Sequence, residues 1–352
     1  MNKKLISRMA ALSMVAAMSV GCANSNVEKQ DTAVSSGELN YSEMSAEELQ
    51  AAWEKEPAYG ETIQVGYNGG LCLGAFGIAQ AQGFYEEQGL ETKIVSTTTL
   101  TDAIGTDQIA VGGDHIATTL VPAVNGVNMR FTTGSHTGCK SLYALADSSI
   151  AKTSDLVGQT VAVADGIGAS DQNISMRFFN KDGVNPNDVK WKVVDNSAVI
   201  LALQNGEVQA ATLSDQFAKK FLDDGTLKVV RSLTFDEDFS QETCCVHAIN
   251  SKFLEENPIT SYKLTLAHQN ASNWIEENKE EFIDVMLDNN WASGEKDFLV
   301  EIANTYNFKI TDEATKATLE NILNDYKTFG LIDSSVDTEE TLNKLWKPLL
   351  QK

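Results

Sequence analysis

The cysteines and histidines of this chain are grouped in a few short segments. Four cysteines follow Cys22, and these cysteines and three of the four histidines fall in four predicted turns or crossing strands. The segments are GGLCLG with Cys72, GGDHI with His115, SHTGCKSLY with His136 and Cys139, and ETCCVHA with Cys244, Cys245 and His247. Thiol and imidazole groups are the ligands that Zn, Cu and Fe take up in proteins, and two thiols can also form a disulfide.

Three interpretations of these groups stay open at the level of sequence. A disulfide from Cys139 to Cys244 or Cys245 requires an oxidising compartment. A soft-metal site would use His136, Cys139, Cys245 and His247, although HxxC and CCxH lack the spacing of a known zinc motif. In the third interpretation they are small buried thiols and hydrogen-bonded histidines. Because side chains alternate along a strand, at most one of Cys244 and Cys245 is expected to face a ligand directly.

Four turns at the ends of predicted strands supply further candidates. Helix N-termini present free N–H groups and partial positive charge, so polar groups or small anions can bind there without Arg or Lys. In DGIGASDQN, Ser170 and Asp171 either cap a helix or face a ligand. The candidate ligand-binding residues are Asn68, Gly69, Cys72, Gly113, Asp114, His115, His136, Thr137, Cys139, Gly166, Gly168, Ser170, Asp171, Asp215, Cys245 and His247. No catalytic residue is assigned.

The elements that position these turns alternate between strand and helix. Strands are expected at 62–68, 91–96, 108–113, 127–134, 159–165, 189–195, 208–215 and 227–233. The stretches GAFGIAQAQGFYEEQG, ASDQNISMRFFNKDG and SAVILALQNGE predict helices that each end at a left-handed glycine. This alternation predicts an α/β fold with parallel sheets, and the last hundred residues predict helices whose aromatic side chains pack in the core.

The N-terminal residues have the pattern of an export signal. Residues 1–21 combine a basic start, an apolar run too short to span a bilayer and small residues. Cys22 follows Ser19, Val20 and Gly21 and resembles the lipidated cysteine of a lipobox, the alternative being an ordinary secreted protein. Residues 22–60 are poor in apolar side chains and predict a flexible tether, within which Ser45 and Glu48 form a capping box.

Composition excludes several classes of protein. The 352 residues are 42% hydrophobic, which excludes a disordered or fibrous chain. The 49 acidic residues outnumber the 27 Lys and Arg, and the net charge of −22 repels nucleic acid and anionic lipid.

One long run carries a family resemblance. From Glu61, the order strand, glycine turn, helix, GFYEEQGL and strand resembles the opening of solute-binding proteins of ABC importers, in the nitrate, sulfonate, taurine and thiamine-pyrimidine-precursor group. The segments SDLVGQTVAV and ALQNGEVQAATLSDQFA match later parts of the same family, and the resemblance extends from 61 to about 280.

The resemblance implies a two-lobed periplasmic-binding-protein-like fold of type II, with a ligand held between lobes. Lobe 1 would contain 61–139 and 248–352, and lobe 2 would contain 140–247. KSLYALADS and ETCCVHAIN bound the second set of elements and are expected to cross between lobes. If they are neighbours, the thiols and imidazoles converge at the floor of the cleft.

The expected function is therefore that of an exported, lipid-anchored binding protein. It would capture a small polar solute of the sulfonate, nitrate or pyrimidine-precursor class and deliver it to an ABC permease as a monomer. No enzymatic activity and no cofactor are expected, with a soft metal as the open alternative. The competing functions are a thiol- or metal-dependent enzyme related to pyrimidine synthases, whose iron segment CCVH partly resembles, and a metal-delivery protein.

Overall fold

The computed structural model describes residues 41–97 and 99–350, which form an α/β structure with two five-stranded sheets. The strands are β1 (Ile63–Gly66), β2 (Thr92–Val95), β3 (Val111–His115), β4 (Met129–Thr137), β5 (Lys140–Leu145), β6 (Thr160–Val163), β7 (Lys190–Val193), β8 (Ala210–Ser214), β9 (Leu227–Ser232) and β10 (Thr243–Asn250). Each of the eight strands predicted from sequence overlaps one of these. The sequence-level expectation of an α/β fold with parallel strands is confirmed.

The two sheets have the same topology. Their strand orders are β2-β1-β3-β10-β4 and β7-β6-β8-β5-β9. In each sheet the first three strands are parallel, and the fourth is antiparallel to both of its neighbours. The sheets are the cores of two lobes, which we call lobe 1 (β1–β4 and β10) and lobe 2 (β5–β9).

Helices cover the sheets. They are α1 (Ala46–Trp53), α2 (Gly74–Ala81), α3 (Phe84–Glu87), α4 (Leu100–Gly105), α5 (Ile116–Val124), α6 (Ser170–Lys181), α7 (Asn196–Gln204), α8 (Asp215–Asp223), α9 (Ser251–Glu256), α10 (Pro258–Glu277), α11 (Lys279–Asp288), α12 (Lys296–Ala303), α13 (Asp312–Thr328) and α14 (Thr338–Leu345). The left-handed glycines expected after three of them are present at Gly89, Gly183 and Gly206. A further left-handed residue, Gly83, divides the first predicted helix into α2 and α3. No helix in the described ranges is both long and apolar enough to cross a membrane.

The segment before β1 differs from the tether predicted for 22–60. The capping box of Ser45 and Glu48 is present at the start of α1. Trp53 is buried and donates a hydrogen bond through Nε1 to Thr260 Oγ1 at 2.9 Å, and the Ala58 amide donates to Asn257 at 2.8 Å. Burial of this tryptophan against α10 anchors 41–60 to the folded chain. The predicted signal, Cys22 and residues 23–40 lie outside the described residues.

Two segments connect the lobes. β4 leads into β5 through Gly138 and Cys139, and the chain returns through residues 233–242. The two segments are tied together, because Cys139 N donates to Thr234 Oγ1 at 2.9 Å and Leu233 N donates to Lys140 O at 3.0 Å. The predicted boundary at 247 falls inside β10, which pairs wholly with lobe 1. The second crossing is therefore the loop before β10, and ETCCVHAIN is a central strand of lobe 1.

An ion-pair cluster also joins the lobes on the side of α6. Arg177 of α6 is buried and pairs with Glu242 and with Asp325 of α13, each at 2.7 Å. Asn173 Nδ2 of the same helix donates to the carbonyl of Ala117 in lobe 1 at 2.8 Å.

Candidate ligand-binding cleft

A cleft of about 710 Å³ lies between the lobes, where the carboxyl ends of strands from both sheets meet. Lobe 1 contributes the residues that follow β1, β2 and β3, and lobe 2 contributes those that follow β6 and β8. Strand ends of open α/β sheets are the usual place for ligands, because the helices that follow them present free N–H groups there. The cleft is therefore the candidate binding site.

The structure places about half of the sequence-predicted residues on this cleft. Those that line it are Asn68, Gly69, Cys72, Gly113, Asp114, His115, Cys139, Gly168 and Ser170. Those outside its lining are His136, Thr137, Gly166, Asp171, Asp215, Cys245 and His247.

The turn after β1 forms one wall. Gly69 and Gly70 both have positive φ, and a Cβ on Gly69 would lie 2.7 Å from the carbonyl oxygen of Trp291. Gly70 N donates to the same oxygen at 2.7 Å, so close approach of backbone to backbone requires glycine here. Asn68 holds the neighbouring loop, since its Oδ1 accepts from Thr97 N at 2.9 Å and its Nδ2 donates to Thr97 O at 2.8 Å.

The turn before α6 forms the opposite wall, and a lysine that sequence reasoning missed organises it. Lys140 is buried and pairs with Asp171 at 2.6 Å and with Asp165. Burial alone would raise the pKa of Asp165, but Lys140 and a hydrogen bond from Ser170 lower it to about 2. Asp171 also accepts from the amides of Ala164 and Asp165 at 2.8 and 3.0 Å. Asp171 therefore holds the turn in place instead of facing the cleft.

Asp215 is likewise a structural residue. It is buried, and its Oδ1 accepts from Ser141 Oγ at 2.7 Å and from Tyr143 OH at 2.6 Å. Its Oδ2 accepts from Thr234 Oγ1 in the second crossing segment. Desolvation raises the pKa of this carboxyl group despite these donors. Both of its oxygens are occupied, so the predicted ligand contact is replaced by a link between β5, α8 and the crossing.

The thiols and imidazoles do converge at the cleft floor, in a different combination from the one predicted. We call this group the thiol cluster; its members are Cys72, His115, His136, Cys139, Cys244 and Cys245. A ring nitrogen of His115 and the sulfurs of Cys244 and Cys245 all lie within 4.8 Å of one another. Cys139 Sγ lies 3.5 Å from His115 Nε2. All four cysteines are free, so no disulfide joins them.

Both vicinal cysteines join the cluster because β10 is irregular at this point. The pairing of β10 with β4 shifts register between Thr243 and Cys245 and again between Cys245 and Val246. A bulge breaks the strict alternation of side chains between faces. Both sulfurs therefore belong to the cluster, although neither Cys244 nor Cys245 lines the cleft.

The cluster alters the proton affinity of its members. The neighbouring thiols of Cys139 and Cys245 lower the pKa values of both Cys72 and Cys244. Burial by itself lowers the pKa of His115, but Cys244 and Asp114 outweigh burial and raise it to about 9. Cys244 raises the pKa of Cys139, and burial raises that of Cys245, so thiolate charge is favoured on Cys72 and Cys244.

His247 lies away from the cluster, on the other side of lobe 1. Its Nδ1 lies 2.8 Å from Nδ1 of His268, and His268 Nε2 is hydrogen-bonded to the Tyr85 hydroxyl. The Phe76 ring packs on both imidazoles, at 4.6 and 4.3 Å between centroids. The prediction that His247 binds ligand or metal with Cys245 does not fit this placement, because its imidazole contacts Phe76 and His268. The pairing of β10 with β4 shifts register between Cys245 and Val246, which lies between the two residues.

Several lining residues were not predicted. They are Tyr67, Thr97, Thr99, Asp102, Thr118, Lys140, Asp165, Ser214, Gln216 and Tyr306. Lys140 was the one with a sequence signal, since a lysine inside the apolar strand KSLYAL needs a buried carboxylate partner. Tyr306 comes from the loop after α12, far along the chain, and packs on His136 at 5.1 Å between ring centroids.

A family model described as "NMT1/THI5 like" matches residues 74–282, well over half of the chain. The chain belongs to the NMT1/THI5-like family. The resemblance read from GFYEEQGL and its neighbouring segments is therefore confirmed. No curated protein sequence matches this member of the family.

Solved structures resemble this NMT1/THI5-like chain over most of its length. The Candida albicans CA3427 gene product, described as having the generic periplasmic binding protein fold, is 16% identical with a TM-score of 0.66, covering 81% of this chain and 96% of its own. The periplasmic aliphatic sulphonate binding protein SsuA from Escherichia coli is also 16% identical with a TM-score of 0.66, covering 83% and 94%. The periplasmic nitrate-binding protein NrtA from Synechocystis PCC 6803 is 13% identical with a TM-score of 0.65, covering 81% and 86%. The protein has the two-lobed periplasmic-binding-protein fold.

Proposed function

We propose that this protein is an exported solute-binding component of an ABC importer, which captures a small polar solute between its lobes and delivers it to a permease. The observation that carries the proposal is a single cleft of about 710 Å³ lined by strand ends of both lobes. Two crossing segments tied by hydrogen bonds join those lobes, as a hinge requires. A volume of this size suits a small molecule.

The charges on the cleft narrow the class of solute. Its lining contains the carboxylates of Asp102, Asp114 and Asp165, and Lys140 is the one Lys or Arg among the described lining residues. The ammonium of Lys140 is already paired with two carboxylates. This balance favours a neutral or cationic solute, such as a pyrimidine precursor or a metal species, over the nitrate and sulfonate that the named neighbours bind.

The decisive experiment measures whether a bound solute closes the cleft. Candidate solutes, including nitrate, taurine and aminopyrimidines, are screened by thermal shift, because a ligand that binds only the folded state raises its melting temperature. The solute that binds is then studied by small-angle scattering, with a decrease in radius expected. Asp165→Asn should weaken binding at least tenfold, whereas Asp155→Asn, an exposed capping residue of the same lobe, serves as the matched control. A bound solute that leaves the radius unchanged contradicts the proposal.

Membrane attachment is tested separately. We infer from the export pattern that the mature chain begins at lipidated Cys22, and a single such anchor with its acyl chains holds a protein on the membrane. Cys22→Ala should release the protein from the membrane fraction. Retention of that variant after a salt wash contradicts the inference.

A further inference from the structure

The thiol cluster is the densest group of metal-ligating side chains in the described part of the chain. Six such side chains, four thiols and two imidazoles, come from four separate segments that the fold brings to the cleft floor. Cys72, Cys139 and His115 line the cleft, whereas Cys244, Cys245 and His136 lie buried behind them. Solutes in the cleft therefore have direct access to one side of the cluster.

The distances suit one tetrahedral ion. In a tetrahedral zinc site with Zn–S bonds of about 2.3 Å, ligand atoms lie about 3.8 Å apart. The ring nitrogen of His115 and the sulfurs of Cys244 and Cys245 are already within 4.8 Å of one another. Cys139 Sγ lies 3.5 Å from His115 Nε2 but outside this three-residue group, so its thiol must shift toward Cys244 and Cys245 to become the fourth ligand.

Both imidazoles are oriented as metal ligands are. A metal-binding histidine commonly uses its second ring nitrogen to hydrogen-bond a carboxylate or a backbone carbonyl, which fixes the ring. His115 Nδ1 lies 3.2 Å from Asp114 Oδ1, and His136 Nδ1 lies 2.9 Å from the carbonyl of Thr137. His136 Nε2 is then buried with no hydrogen-bond partner among the described residues. His247 Nε2 is unpartnered in the same way, so the position of His136 beside the thiols, and not its missing partner, associates it with the cluster.

Backbone strain at Cys139, in the first crossing segment, also supports a metal site. Cys139 has φ of +124°, a conformation that side chains other than glycine rarely adopt. Its amide is bonded to Thr234 and its carbonyl to Asp215 N, at 2.9 and 2.8 Å, so contacts on both sides hold it there. The result is a thiol aimed at His115 from the hinge itself.

We propose that the thiol cluster binds a thiophilic metal ion through His115, Cys139, Cys244 and Cys245, as part of the solute that the cleft captures. Cys72 lines the cleft and accepts the ion as it enters, and His136 lies buried beside the set. The second half of this statement rests on the proposed solute-binding function. All four proposed ligands belong to lobe 1 and the crossing, so the ion binds while the cleft is open and lobe 2 closes over it.

Binding is tested on the full mature chain, reduced and freed of metal under anaerobic conditions. Titration with Cd²⁺ should give a thiolate charge-transfer absorption that saturates at one ion per chain, and Cd²⁺ should displace Zn²⁺ bound beforehand. Cys244→Ser and Cys245→Ser should each weaken Cd²⁺ binding at least tenfold, and Asp114→Asn should weaken it by a smaller factor. His268→Gln is the matched control, since it alters a buried imidazole outside the cluster. Absence of Cd²⁺ binding to protein with four titratable thiols, or equal affinity in the Cys244→Ser/Cys245→Ser double variant, overturns the proposal.

The role of the ion as cargo is read from two further measurements. Metal added to the wild-type chain should reduce the scattering radius, and bound Zn²⁺ should exchange with free Zn²⁺ once the cleft opens. A tightly bound ion that neither exchanges nor compacts the protein identifies a structural metal and overturns the cargo assignment. An organic solute that compacts metal-free protein rejects the cargo assignment while upholding the proposed solute-binding function, so the two failures are distinguishable.

Discussion

Two buried histidine groups of lobe 1 differ in what surrounds them. His247 and His268 form a pair closed by Tyr85 and enclosed by the Phe76 ring. His115 and His136 belong to the thiol cluster, beside four free thiols and the carboxylate of Asp114. The first group is part of the packed core, and the second borders the cleft.

The pKa values of the two groups move in opposite directions. Burial lowers the pKa of His247 to about 3 and also lowers that of His268. Burial acts in the same sense on His115 and His136, but nearby thiols outweigh it and raise both pKa values. Desolvation thus leaves the imidazole neutral in one place, whereas neighbouring groups favour the charged imidazole in the other.

The largest effect on stability is expected from deleting the imidazole of His268, one member of the His247–His268 pair. His268→Ala leaves a cavity and removes the hydrogen-bond partner of both Tyr85 and His247. Its free energy of unfolding should fall by about 3 kcal/mol, in the range of large-to-small core substitutions. Urea denaturation measures this, and a loss below about 1 kcal/mol would show that the pair is not structural.

Acidification should destabilise the protein through the same pair. The unfolded chain protonates His268 near its ordinary pKa of 6.5, whereas the folded chain, with a lowered pKa, does not. Stability is therefore complete above pH 6.5 and declines below it by about 1.4 kcal/mol per pH unit for this group. His268→Gln, measured alongside wild type by thermal unfolding from pH 7.5 to 5, should show a shallower slope. Parallel slopes would assign the acid sensitivity to other groups.

Removing the Tyr85 hydroxyl, which ends the hydrogen-bonded series of His247, His268 and Tyr85, should lower the free energy of unfolding by a smaller amount. Tyr85→Phe keeps the ring but removes the hydroxyl that binds His268, and an unmade buried hydrogen bond costs about 1–2 kcal/mol. Cys72→Ser, in the half-buried part of the thiol cluster, should cost less. If Cys72→Ser destabilises the protein more than Tyr85→Phe in urea, the cluster is core packing and not a site.

The smallest net change in the free energy of unfolding is expected for a substitution at Cys139. Glycine relieves the strain at φ of +124° but adds conformational entropy to the unfolded chain, and the two effects oppose each other. Cys139→Gly should therefore stay within about 1 kcal/mol of wild type. Cys245→Ala, which deletes a fully buried thiol from a strand, should lose more in the same assay.

Local patterns were enough to predict most elements of the fold. The strand at TIQVGYN, the helix at ASDQNISMRFFNKDG and the capping box at Ser45 all depend on residues close together in sequence, and the structure contains each of them. Composition was a poorer guide for 41–60, because Trp53 and Glu56 find their partners on α10, about two hundred residues away.

Within the site, the sequence by itself indicated most of the chemical groups at the cleft floor, because the glycine turns, Cys72, His115 and Cys139 lie where strands end or where the chain crosses between lobes. Tertiary structure alone decided their roles. A bulge in β10 placed both Cys244 and Cys245 in the cluster and sent His247 to Phe76 and His268. Asp171 is ion-paired with Lys140, and Asp215 accepts hydrogen bonds from three hydroxyl groups. Whether a polar side chain faces a ligand depends on how many of its hydrogen-bonding positions are already used, and those partners come from segments distant in sequence.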